Sequence, residues 1–297
     1  MTDLPPPTAA PDPASPVPGI LWMLATGLCF VAVNGIVHHV GTALPAVEGA
    51  FIRFAFGLIF TAPALAALLR RGVPRDLFTP IAARGAIHVL AVSLWFFAMA
   101  RIPVAEVTAI GYLNPLVVTL GAALVFGERL SGWRIGALVV AFIGALIVLR
   151  PGVKAIEPGH WAQLGAAVSF GISYLFAKRL SEQLPAAAVV ALMSLTVVIG
   201  LAPLAAAVWV TPGLVQVGWL ALVAVFATAG HYAMTRAFAA APLTVTQPVT
   251  FLQLVWASLL GVLVFGEALD PWVLVGGGLI VAAVTLTGWR ESRRARR

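Results

Sequence analysis

Residues 103–133 read PVAEVTAIGYLNPLVVTLGAALVFGERLSGW, and residues 242–272 read PLTVTQPVTFLQLVWASLLGVLVFGEALDPW. The second passage lies 139 positions after the first, with no gap. Pro103 falls on Pro242, Val125-Phe126-Gly127-Glu128 on Val264-Phe265-Gly266-Glu267, and Trp133 on Trp272. The same shift puts Trp22 on Trp161, and a Pro-Gly pair precedes each of them (Pro18-Gly19 and Pro158-Gly159). The chain therefore reads as two copies of one ancestral unit. Duplicated halves in so apolar a chain point toward carriage across a membrane, because a pseudo-symmetric pair can present one central site to either side in turn.

Apolar residues make up 61% of the chain and charged residues 10%, whereas a soluble domain is about 45–50% apolar and about 25% charged. The mean hydropathy of +1.01 agrees with a bilayer as solvent. A spanning helix takes roughly 20 apolar residues, so the length suits about ten spans. The single cysteine, Cys29, excludes an intrachain disulfide framework. Residues 1–18 hold seven prolines and no basic residue. They are expected to be disordered and to lack the basic start of a signal peptide.

The spans are expected at 19–39, 46–69, 84–101, 103–126, 132–150, 160–179, 186–210, 214–236, 242–265 and 271–289. Helices satisfy their own backbone in lipid, and the alternating ten-residue strands of a barrel are missing from the pattern. With the N-terminus inside, the inner loops and tail carry 14 Lys and Arg residues, from Arg70, Arg71, Arg75 and Arg84 to Arg297. The outer loops carry three: Arg101, Arg150 and Lys154. This bias places both termini in the cytoplasm. It also assigns the positive charge to topology and the anionic leaflet rather than to nucleic acid. Five spans per half is an odd number, so the second half is inverted relative to the first. The predicted units are a tail at 1–18, repeats at 19–150 and 159–289, and a basic cytoplasmic tail at 290–297.

The stretch AVEGAFIRFAFG in the second span, with Arg53, and the passage YLNPLVVTLGAALVFGERLSGWRIGALVVAFIGALIVLRPG resemble the EamA-like branch of the drug/metabolite transporter superfamily. The resemblance covers nearly the whole chain after residue 18. The second copy departs from the pattern: Gln253-Leu254 stands for Asn114-Pro115, and no Arg-Pro-Gly closes the last span. The resemblance implies an all-α integral membrane fold, with ten transmembrane helices as two inverted five-helix repeats around a central cavity. It implies a metabolite exporter of the bacterial inner membrane, most similar to amino-acid exporters.

Polar residues at depth are costly and face the bundle interior or a wet cavity. Thr108, Tyr112 and Pro115 share a face of the fourth span, and Gln247 and Gln253 align with Thr108 and Asn114 in the second copy. His88 and Trp95 lie two turns apart on one face. The candidate substrate-binding residues are Asn34, His88, Trp95, Tyr112, Asn114, Tyr174, Gln247, Gln253 and Trp256. For Asn34 and Tyr174, interhelical hydrogen bonding is the open alternative. Arg53 is expected to snorkel or to meet Glu106. Glu128 and Glu267 are expected at the N-termini of the helices that follow them. Gly136, Gly144 and Gly276-Gly277-Gly278 are expected at close helix contacts. His38-His39 lacks the partners of a metal site.

These features predict a secondary transporter without catalytic residues, metal or cofactor, taking small molecules such as amino acids. A monomer is expected. Drugs, nucleosides or other small polar metabolites are the alternative substrates. A membrane-embedded enzyme or a scaffold is a remote one, since no converging catalytic set or soluble output domain is evident.

Overall fold

The computed structural model describes residues 17–114, 116–118, 120–121, 132–181, 183–240, 249 and 252–294. Pro115, Glu128 and Gln247 lie outside them. The described residues form α1 (Val17–Val40), α2 (Ala46–Arg71), α3 (Phe78–Met99), α4 (Val104–Gly111), α5 (Gly132–Leu149), α6 (Pro158–Ser181), α7 (Ala186–Ala207), α8 (Leu214–Ala240), α9 (Leu252–Phe265) and α10 (Pro271–Arg294). A short 3-10 turn, Arg75–Leu77, leads into α3. Five stretches are long and apolar enough to cross a membrane: Val17–Val40, Ala46–Arg71, Arg75–Met99, Ala187–Ala207 and Leu214–Met234. Large apolar side chains such as Ile59, Phe142, Ile199 and Leu263 stay exposed on the helices. Water would penalise this surface, and a hydrocarbon surround does not.

Prolines start several helices. Pro45, Pro103 and Pro185 precede α2, α4 and α7, where a missing N–H costs no helical bond. Glu48 and Glu106 sit in the first turns of α2 and α4, where a negative charge favours the helix dipole.

Several boundaries differ from the expectation. α1 begins at Val17, inside the expected tail, and α10 continues to Arg294 through the basic residues. α3 starts six residues earlier than the expected 84, so Arg84 is a buried helical residue and not a loop charge. α4 ends at Gly111, and a turn at Tyr112 and Leu113 interrupts it before helix resumes at 114.

The main contacts pair α1 with α8, α3 with α6, α2 with α7 and α5 with α10. Replacing each helix by the one five places along turns this set of pairs into itself. Glycines let α5 and α10 touch: a Cβ on Gly144 would sit 2.6 Å from the Gly276 carbonyl oxygen and 2.8 Å from Ile280. Gly136 and Gly278 make no such contact, contrary to expectation. The largest core cluster joins Val37, Phe54, Phe96, Met99, Val104, Leu201 and Leu220. It fills the end of the bundle where α1 and α3 finish and α4 begins.

Gly144→Val should therefore lower thermal stability in detergent by the equivalent of about 1–3 kcal/mol, the cost of overpacking. Gly136→Val, which points into open space, should leave the melting temperature unchanged.

Candidate functional site

The helix ends that meet beside this core carry the acids. Glu106 is 2% exposed. Its carboxylate pairs with the Lys154 ammonium of the segment before α6 and accepts from His160 Nε2 at 2.6 Å. The Glu157 N–H donates to His160 Nδ1 at 3.0 Å, so the proton on this ring sits on Nε2 and points at Glu106. Glu267 reaches back from the α9–α10 turn and accepts from the Val104 N–H at 3.2 and 3.3 Å. It thus caps α4 and not α10, which corrects the expectation. The N-terminus of α10 is capped instead by Asp270, which accepts from the Trp272 N–H at 3.0 Å and pairs with Arg150.

His38 Nε2 lies 3.4 Å from Glu267, and His38 Nδ1 donates to the Met99 carbonyl at 2.6 Å. Gly266 makes this turn possible: its φ of 66° is left-handed, a conformation that strains a residue bearing a Cβ. Together these bonds join α1, α3, α4, α6 and the α9–α10 turn into a polar seal. A small cleft within it is lined by Pro103, Glu106, Ser258, Glu267 and Asp270. In the first turn of α2, Glu48 is fully buried and accepts the Val210 N–H at 2.9 Å.

Deeper along the helices lies an aromatic and cationic region. His88 Nδ1 is 3.0 Å from Ser173 Oγ. The His88 ring meets Phe54 edge-on at 5.9 Å and Phe170 at 5.2 Å. Phe170 stacks on Tyr174, 6.4 Å away and 19° from parallel, and Tyr174 is 45% exposed. Arg53, Arg84 and His231 lie within electrostatic reach of His88. The His231 ring contacts Phe30 at 5.2 Å. Residues of α1, α2, α3, α6 and α8 thus converge on one aromatic and cationic cluster.

Of the candidates read from the sequence, His88 and Tyr174 meet there through Phe170. Asn34 is buried and donates to Thr108 Oγ1 at 3.2 Å, the interhelical alternative left open above. Trp256 and Gln253 pack against α1 at Gly27. Trp95 packs against the core and meets Phe96 edge-on. Tyr112 and Asn114 sit at the break after α4. There Gln163 Nε2 donates to the Val107 carbonyl at 2.9 Å, while Asn114 Oδ1 and Gln163 Oε1 are buried without a partner among the described residues. Gln247 lies outside the described residues. Arg53 does not reach Glu106, whose carboxylate is taken by Lys154 and His160.

The sequence reading missed His160, Gln163, Phe170 and Ser173. A signal for His160 existed: it follows Pro158-Gly159 at the start of a helix, at the same depth as Glu106. Phe170 and Ser173 carried no separate signal, because an aromatic or a serine in an apolar run reads as packing.

A helical bundle with exposed apolar flanks, polar contacts at one end and a polar aromatic cluster within suits a multi-pass membrane protein. The chain belongs to the EamA-like transporter family, whose sequence profile matches it twice, at residues 17–150 and 157–289. It is 30% identical to a riboflavin transporter of Rhizobium johnstonii, over 100% of this chain and 99% of that protein. It is 28% identical to the pseudopaline exporter CntI of Pseudomonas aeruginosa, over 89% and 94%. It is 26% identical to an S-adenosylmethionine uptake transporter of Rickettsia prowazekii, over 93% and 94%. A crystal structure sharing 22% identity superposes with a TM-score of 0.55, over 93% of this chain and 96% of that one, a likeness of fold.

Glu106→Gln should loosen the seal, since truncating one partner of a buried pair costs about 3–5 kcal/mol. In a Cys29→Ser background, a cysteine replacing the buried Ser258 reports opening. Its labelling by a polar maleimide should be slow with Glu106 intact and at least about tenfold faster in Glu106→Gln, a free-energy change of about 1.4 kcal/mol.

Proposed function

We propose that the protein is a secondary carrier of the bacterial inner membrane for a small metabolite with a planar aromatic part, working by alternating access. The observation that carries this reading is the sealed end lying over a chamber walled by Phe54, Phe170 and Tyr174. The arginine-bearing ends of α2, α6 and α8, with Arg70, Arg71, Arg179 and Arg236, face the cytoplasm by the positive-inside rule. The acid-rich seal then closes the outer face, and the chamber serves the inner one.

The exchange-symmetric helix pairing supports two inverted five-helix halves, 19–150 and 159–289, rocking about the chamber. Opening the outer face would break the Glu106 and Glu267 contacts and require an equivalent closure at the other end. Among the candidates, His88 and Tyr174 line the chamber. Asn114 and Tyr112 flank the break in the fourth span, Gln253 and Trp256 the α1–α9 contact, and Trp95 the core beside them. Asn34 positions that region through Thr108, and Gln247 belongs to the same face by repeat alignment.

Riboflavin is the first substrate to test, because a full-length relative is named for it and its flat ring suits the stacked Phe170–Tyr174 wall. Relatives named for export and for uptake leave either direction open to this fold. Aromatic amino acids, the class expected from the sequence, are the second reading. The unpartnered Asn114 and Gln163 oxygens favour it, since they can accept from an ammonium group.

Proteoliposomes offered labelled riboflavin, tryptophan, phenylalanine and adenosine, with and without a pH gradient, should show saturable uptake of at least one. Tyr174→Ala should reduce that uptake about threefold to tenfold, matching the ~0.5–1.5 kcal/mol of an aromatic contact, at unchanged thermal stability. Equal loss of uptake and stability would make Tyr174 a packing residue.

A further inference from the structure

The chamber holds uncompensated positive charge. The Arg53 guanidinium folds over the Phe54 ring, 4.0 Å from its centroid. Among the described residues no carboxylate or other hydrogen-bond acceptor meets it. Arg53 lies five residues beyond Glu48, about 7.5 Å deeper and some 140° around the helix, so the two do not pair. Arg84 is 6% exposed. It donates to the Val189 carbonyl at 3.1 Å and to Met193 Sδ at 3.3 Å, which ties α3 to α7 without neutralising its charge. His88 and His231 stand in the field of Arg53.

Among the described residues no acid answers at this depth. Glu48 and Glu106 are spent at the sealed end, and Glu267 and Asp270 lie in the α9–α10 turn. Uncompensated charge at membrane depth costs several kcal/mol. A guanidinium with five donors in a planar fork is built to receive a carboxylate or phosphate oxygen pair.

We propose that the transported molecule carries an anionic group, a carboxylate or a phosphate, and that Arg53 receives it while the aromatic wall holds the rest. This rests on the chamber as the substrate site and on no particular substrate. Arg84 adds a favourable field, and cationic molecules are disfavoured. Riboflavin itself carries no such group, so this preference, which comes from the charges of this chain, ranks flavin mononucleotide or an aromatic carboxylate above it.

The test uses the full-length protein in nanodiscs, with binding read by thermal shift and intrinsic fluorescence. Two matched pairs isolate the charge: indole-3-acetate against indole-3-acetamide for a carboxylate, and flavin mononucleotide against riboflavin for a phosphate. Hexanoate supplies charge without a ring. The anionic member of at least one pair should bind about ten- to hundredfold more tightly than its neutral partner, as expected for hydrogen bonds to a charged group. The pair that shows the preference identifies the anion.

Arg53→Gln should bring the two members within about threefold of each other, while Arg53→Lys keeps part of the preference. The proposal is overturned if wild-type protein binds both members of each pair equally, a comparison that needs no variant. It is also overturned if the preference survives in Arg53→Gln. Equal binding within the pairs would leave the aromatic carrier reading standing. Hexanoate binding as tightly as indole-3-acetate would sink the aromatic reading and keep the anionic one. Binding of none of the five would sink both.

Discussion

A carboxylate at membrane depth has no water to turn to, so it must be met by protein or remain uncharged. Glu106 is met from two sides, by Lys154 and by His160, and the rest of the closed end is organised around that requirement. The first turn of α4 carries Glu106, and its leading N–H is taken by Glu267. His38 then bridges Glu267 to the end of α3. These groups come from both sequence repeats, so the two copies of the unit are locked at one end by polar contacts that neither makes alone.

The seal and the chamber follow opposite electrostatic rules. At the seal, Glu106 and Asp270 each have a cation beside them, and Glu267 has a backbone donor and a histidine. In the chamber, Arg53, Arg84, His88 and His231 gather with aromatic rings and without an acid among the described residues. Cancelled charge stabilises a closed structure, whereas uncancelled charge is kept only where water or a ligand reaches it. The apolar core around Val37, Phe96, Met99 and Leu201 separates the two regions. It keeps the seal from extending into the chamber, which makes opening one end and holding a ligand at mid-depth separable events.

Much of the architecture was legible in the chain. The repeated Val-Phe-Gly-Glu and Pro/Trp landmarks exposed the duplication, and the apolar runs placed α1, α2, α5, α6 and α7 within three residues of where they lie. Arg84 was misplaced because a loop charge and a buried helical charge look alike in sequence; only the Val189 carbonyl and Met193 across from it make burial tolerable. Glu267 was assigned to the helix after it, the nearest N-terminus in sequence. The left-handed Gly266 sends its carboxylate to the N-terminus of α4, 163 residues away.

The sequence by itself determined the apolar surround, the repeat and the helical class, because each follows from composition or local periodicity. His88 and Tyr174 were also visible, since an isolated polar residue in an apolar run stands out. The tertiary structure decided which polar groups cancel and which do not. His160 became a partner for Glu106, Asn34 was spent on Thr108, and Arg53 was left over the Phe54 ring without a counter-charge among the described residues. Pairing depends on which helices become neighbours, and the contacts α1–α8, α3–α6, α2–α7 and α5–α10 join residues far apart in the chain. Local pattern carries the helices, while long-range packing assigns the charges their partners.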